Sequence, residues 1–154
     1  MATWLTPEEQ RVWRSLHGVL LVLPQALDRQ LQQDSQLSLL EYYVVAGLSE
    51  APGRTARLSD LALLTNAELS RISHLVARLE RRGLVRRRPD PDDGRYTNAV
   101  LTEEGWEVVR EAAPGHVAAV RRLVFAGLDE AGLRDLARQI DRLADSVGRP
   151  GWKA

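Results

Sequence analysis

Residues 66–101 concentrate side chains suited to one kind of chemistry: hydrogen bonding to a polyanion and to the edges of nucleic-acid bases. In the first half of this stretch Leu69, Ile72, Val76 and Leu79 recur at helical spacing. At about 100° per residue, Ser70, His74, Ala77 and Arg81 fall opposite that apolar stripe. Leu75 lies at its edge, and Arg71, Ser73 and Arg78 flank the polar face. A guanidinium such as that of Arg71 can pair with N7 and O6 of guanine, and the hydroxyls of Ser70 and Ser73 can donate to or accept from several bases. His74 suits a base or a phosphate. Arg78, farther along the helix, suits a phosphate, which adds affinity without reading sequence.

The second half of the stretch reads as a hairpin. Gly83 is placed to stop the helix in the left-handed conformation. Residues 84–88 and 96–101 are strand-like, with Val85, Val100 and Leu101 expected to point inward, and residues 89–95 form a tip of Pro, Asp and Gly that ends on Arg95. Arg86, Arg87 and Arg88 alternate faces along the first strand, so only some of them can meet phosphate, with Arg88 the chosen candidate. Between residues 66 and 100 eight arginines stand against five acids, although the whole chain is neutral. A basic centre between acidic flanks is the distribution of a protein that turns one face toward phosphate.

Other chemistries find little support. The chain has no cysteine, which removes disulfides, thiolate metal sites and thiol-based redox sensing together. No phosphate loop, metal motif or Gly-x-Ser-x-Gly nucleophile is present, and the three histidines (His17, His74 and His116) are scattered, so an enzyme is not expected and no cofactor or metal is called for. Asp90, Asp92 and Asp93 before Gly94 lack the ligand spacing of a calcium loop, and Pro91 interrupts them. No stretch is apolar enough to span a membrane and no secretory signal is visible, so a cytoplasmic protein is expected.

The elements that must position these residues follow from capping and periodicity. The 154 residues are expected to form one domain, 1–154. Thr6, followed by Pro7, Glu8 and Glu9, starts a helix running to about Gln33, with Pro24 placed to bend it. Its apolar residues cover more than one side near Gly18, which calls for a partner surface. Ser38 opens a second helix from Leu39 to about Ser49. Arg57 and Leu58 suggest a short strand, and Ser59 a cap for a third helix from Asp60 to Leu64. Thr102 caps a fifth helix, expected to kink at Pro114 and Gly115. Asp129 and Glu130 open a sixth, which should end by Gly148, before Pro150 and Gly151. The third and fourth helices with the hairpin behind them read as a winged helix-turn-helix in a mainly α (α+β) fold.

Three joined pieces carry a family resemblance: residues 76–85 (VARLERRGLV), residues 89–95 (PDPDDGR) and residues 101–105 (LTEEG). In this order and spacing the chain resembles the MarR family of winged-helix transcriptional regulators. The resemblance implies a DNA-binding region over residues 38–101, flanked by dimerisation helices at 6–33 and 102–147. It implies an obligate homodimer on double-stranded DNA, bound to a short pseudo-palindromic operator, and a repressor released by a small, often aromatic or phenolic, effector. It places Arg95 at a wing tip that enters the minor groove, with Asp93 two residues earlier holding the guanidinium through a bidentate pair. By analogy with the family's site between the first, second and fifth helices, Trp13, His17, Tyr42 and Tyr43 are the candidates for an effector pocket. The competing reading is a dimeric winged-helix adaptor that binds neither DNA nor effector.

Overall fold

The computed structural model describes residues 4–148. Among them the chain order is α1 (Pro7–Ser35), α2 (Leu39–Glu50), β1 (Thr55–Arg57), α3 (Leu58–Thr65), α4 (Leu69–Arg81), β2 (Val85–Pro89), β3 (Thr97–Leu101), α5 (Glu103–Val120) and α6 (Glu130–Val147). The mainly α winged helix-turn-helix architecture is therefore present. Pro150 and Gly151, the expected stop after α6, lie outside the described residues.

Caps explain most of the boundaries. Thr6 and Glu9 form a reciprocal capping box at the start of α1, and Ser38 and Glu41 form another at α2. Thr102 and Asp129 each accept a backbone N–H at the starts of α5 and α6. Ser59 does not act as a cap. Strand β1 ends at Arg57 and α3 begins at Leu58, because the buried Leu58 side chain draws the first turn into the core. Pro24 lies inside α1 without ending it, and α1 runs to Ser35, beyond the expected Gln33. Helix α5 likewise continues through Pro114, and its α geometry gives way later, in a π turn at Arg121–Phe125.

The three strands form an antiparallel sheet in the order β1-β3-β2. Its register pairs Val85 with Leu101, Arg87 with Ala99, and Arg57 and Arg88 with Asn98. Since alternate residues share a face, Val85, Ala99 and Leu101 bury on one side. Val100 lies on the other side with Arg86, so it is only half-buried rather than part of the core.

The core collects Leu31, Leu37, Val44, Val45, Leu48, Leu61, Ile72, Leu75, Val76, Leu79 and Val85, all almost fully enclosed. It sits under the helix-turn-helix, and α6 contributes no buried residue to it. Val19, Leu20, Leu21 and Val22 of α1, Leu123 and Phe125 after α5, and Leu133 and Ile140 of α6 remain exposed. None of the described helices is long and apolar enough to cross a membrane.

Candidate nucleic-acid interface

Helix α4 buries Ile72, Leu75, Val76 and Leu79, a full i, i+3, i+4, i+7 stripe. Leu75 is thus core rather than edge. Leu69 is the converse: half its surface is exposed, because it opens the helix beyond the limit of the core. Ser70, Arg71, His74 and Arg78 lie on the exposed side as expected, while Ser73 is half-buried at its margin. Asn66, in the left-handed region at φ 49°, makes the sharp turn between α3 and α4.

The two ends of this surface are mounted on buried carboxylates. At the helix end, Glu41 is almost fully enclosed. It accepts the Ser38 N–H at 2.9 Å and faces Arg78 and Arg82, each at 3.7 Å. Arg82 also donates to the Gln36 carbonyl at 3.1 Å. Arg78 is therefore tethered to α2 as well as available to phosphate.

At the hairpin end, Asp93 and Arg95 form the expected bidentate pair. Arg95 Nε donates to Asp93 Oδ1 at 2.9 Å and Nη2 to Oδ2 at 2.6 Å. The Arg95 guanidinium lowers the Asp93 carboxyl below its ordinary value. The arginine side chain itself is 85% exposed. Behind the pair stands a third carboxylate, whose role no local pattern announces. Asp90 is enclosed, and its Oδ1 accepts the Asp92 and Asp93 N–H groups at 2.9 and 3.1 Å. Arg57 of β1 donates to its Oδ2 at 2.8 Å and, above all other influences, holds the Asp90 carboxyl down at about 2.

The three consecutive arginines of β2 separate by face. Arg87 turns toward α4, where Glu80 accepts its backbone N–H at 2.8 Å and its Nε at 2.7 Å. Arg86 and Arg88 share the other face, and neither makes an ion pair among the described residues. Arg86 is thus placed like Arg88, and the alternation of side chains was signal enough to pair the two.

The four proposed effector residues do not form one cluster. Trp13 and His17 stack on each other, with centroids 5.6 Å apart, on an exposed stretch of α1. Tyr42 and Tyr43 instead surround His116 of α5, at 4.5 and 6.3 Å. Burial pushes both tyrosines up and the imidazole down. His116 Nδ1 and Gln30 Oε1 of α1 are enclosed without a hydrogen-bond partner among the described residues. His116 was legible as part of the buried stripe Val109, Ala112, His116, Ala119, had histidine been counted among the core-facing residues. An open groove of about 1040 Å³ lies between α1, α2 and α4, with Arg29, Tyr43, Ser70, Arg71, His74 and Arg78 in its walls.

A helix that presents hydroxyls, an imidazole and guanidiniums, with a hydrogen-bonded basic hairpin beside it, defines a winged-helix DNA-binding protein. Comparison with known proteins narrows the class. A sequence profile of the MarR family matches residues 35–95. The transcriptional regulator HosA of Escherichia coli O111:H- is 31% identical over 102 residues, covering 66% of this chain and 73% of HosA. The structure of Sco3205, a MarR family transcriptional regulator from Streptomyces coelicolor in complex with DNA, superposes with a TM-score of 0.90 at 41% identity, over 99% of this chain and 98% of that one. CouR from Rhodococcus jostii RHA1, bound to p-coumaroyl-CoA, superposes with a TM-score of 0.73 at 26% identity, over 93% and 95%. The chain belongs to the MarR family of DNA-binding transcriptional regulators.

Proposed function

We propose that the protein is a homodimeric repressor that binds a pseudo-palindromic operator and leaves it when a small aromatic anion binds. The observation that carries the reading is the mounting of the exposed cations. Arg71 and Arg95 project from a helix and a hairpin tip that buried carboxylates hold in place. Ser70, Arg71, Ser73 and His74 would face base edges, Arg78 and Arg88 phosphates, and Arg95, held by Asp93, the minor groove.

The dimer accounts for the apolar residues left exposed on α1, after α5 and on α6, whose burial needs a second copy. Two such surfaces on one dimer would read half-sites about 10 bp apart. The effector reading rests on the groove beside Tyr43 and on the precedent of CouR with its bound p-coumaroyl-CoA. An aromatic body would lie against Tyr43, and an anionic end would meet Arg29, Arg71 or Arg78. Because Arg71 and Arg78 also face DNA, occupancy of the groove would exclude the operator.

Gel-shift titration against DNA upstream of the protein's own gene and neighbouring genes tests this. A salt-sensitive, sequence-specific shift with the stoichiometry of a dimer is expected. The absence of any such shift with every neighbouring promoter would sink the regulator reading, and a monomer in light scattering would sink the dimer.

A further inference from the structure

The tip between β2 and β3 is composed of Asp90, Pro91, Asp92, Asp93, Gly94 and Arg95. It holds no large apolar side chain, so packing alone cannot fix its shape. Its order comes from Asp90, whose carboxylate gathers two backbone N–H groups of the turn on one oxygen and the Arg57 guanidinium on the other. Arg57 lies 33 positions upstream, on the strand that flanks β3 on the side away from β2. Its guanidinium also covers the Tyr96 ring at 4.5 Å. The Tyr96 carbonyl accepts the Asp90 N–H at 2.9 Å, and the Tyr96 N–H donates to the Asp93 carbonyl at 3.0 Å. One side chain therefore clamps both legs of the turn that carries Asp93 and Arg95. Arg57 also immediately precedes α3, so the clamp fastens the wing tip to the start of the helix-turn-helix.

We infer that Arg57 is a positioning residue for DNA binding, acting through Asp90 to hold the wing tip in the pose that delivers Arg95. This rests on the reading that Arg95 meets DNA. Arg57 orders the tip before binding, so that less conformational freedom is lost on the operator. The rival role is direct contact with phosphate, since the Arg57 side chain is 37% exposed.

A double-mutant cycle separates the two roles. Affinity for the DNA fragment shifted by wild type is measured by fluorescence anisotropy, across a salt series, for wild type, Arg57→Ala, Arg95→Ala and the double variant. Arg57→Ala should weaken binding about tenfold, as is usual within one hydrogen-bond network, without changing the salt slope. In the Arg95→Ala background it should have almost no further effect. An equal loss in both backgrounds, or a salt slope lowered by about one per subunit, identifies a phosphate contact and overturns the inference. Amide hydrogen exchange without DNA supplies a second readout. Arg57→Ala and Asp90→Asn should both speed exchange at Asp92 and Asp93 while the α4 core keeps its protection, which also shows that the variants fold. Unchanged exchange at those two amides refutes the clamp. If wild type binds no DNA, the regulator reading fails while the exchange result still decides the clamp.

Discussion

Replacing Arg95 by alanine should damage DNA binding while leaving the fold almost untouched. The side chain is 85% exposed and its partner Asp93 lies in the same turn, so little of the native structure depends on it. The unfolding midpoint should shift by no more than about 2 °C, since exposed pairs of this kind contribute little. Binding is different. Each cation placed at the duplex releases close to one counterion and steepens the salt dependence by about 0.9. At an ionic strength of about 0.15 M this is worth roughly fivefold in affinity per cation, so the two wing tips of the proposed dimer would supply about thirtyfold and a slope change of about 1.8. The control is Arg87→Ala. Arg87 has the same charge and lies on the same hairpin, but it is turned to Glu80 at 2.7 Å. Its removal should leave the slope unchanged. Anisotropy titrations between low and physiological salt measure both variants. A normal slope for Arg95→Ala together with a reduced one for Arg87→Ala would show that the hairpin docks by its other face.

Three further outcomes follow from the packing and the buried acids and bases. Gly105→Ala would set a methyl carbon 2.1 Å from the Leu84 carbonyl oxygen and 2.7 Å from Leu101 Cδ1. Since backbone must move, a loss of about 1–3 kcal/mol in denaturant unfolding is expected, and unchanged stability would show that α5 does not start against the hairpin. Asp90, at about 2 in the fold against an ordinary 3.8, stabilises the protein fully above about pH 4, and that contribution disappears as the pH falls through 2. The acid limb of a stability–pH curve should therefore flatten in Asp90→Asn. His116 has its pKa lowered from 6.5 by burial, so the unfolded chain takes up a proton first and stability declines as the pH drops below 6.5. His116→Phe should remove that decline between about pH 7 and 5, and a curve identical to wild type would mean that His116 is not held neutral.

Local chemistry made the architecture legible. Thr6, Ser38, Thr102 and Asp129 announce their helices by side-chain oxygens that bind nearby backbone N–H groups, which needs no knowledge of the rest of the fold. The pairing of Asp93 with Arg95 was implied by the family resemblance, and the two residues lie in one turn. The residues that escaped notice act across long separations. Arg57 reaches Asp90 only because β1 joins the sheet beside β3, and Glu41 reaches Arg78 and Arg82 only because α2 packs along α4. His116 meets Tyr42 where α5 crosses α2, and spacing along the chain carries no trace of that encounter. Leu69 departs from its expected burial for a related reason: periodicity gives the direction of a side chain but not where the core ends.

The placement of acids explains how a chain with zero net charge can present a basic face. Glu41, Glu80 and Asp93 pair with Arg78, Arg82, Arg87 and Arg95, and Asp90 with Arg57. These acids sit behind or beneath the surface proposed to meet DNA. Arg71, Arg86 and Arg88 make no ion pair among the described residues, and all three are exposed. The arginines thus divide into Arg57, Arg82 and Arg87, which hold the helix and hairpin in place, Arg78 and Arg95, which an acid holds while they stay exposed, and those left open to a polyanion. A neutral molecule also attracts DNA weakly from a distance, because its long-range field largely cancels. Its affinity must then come from contacts made at close range, where counterions are displaced and base edges are read. The rigidity of α4 and of the wing tip accordingly matters here beside the positive charge itself, because a cation that its turn or helix already holds in place loses less freedom when it meets DNA.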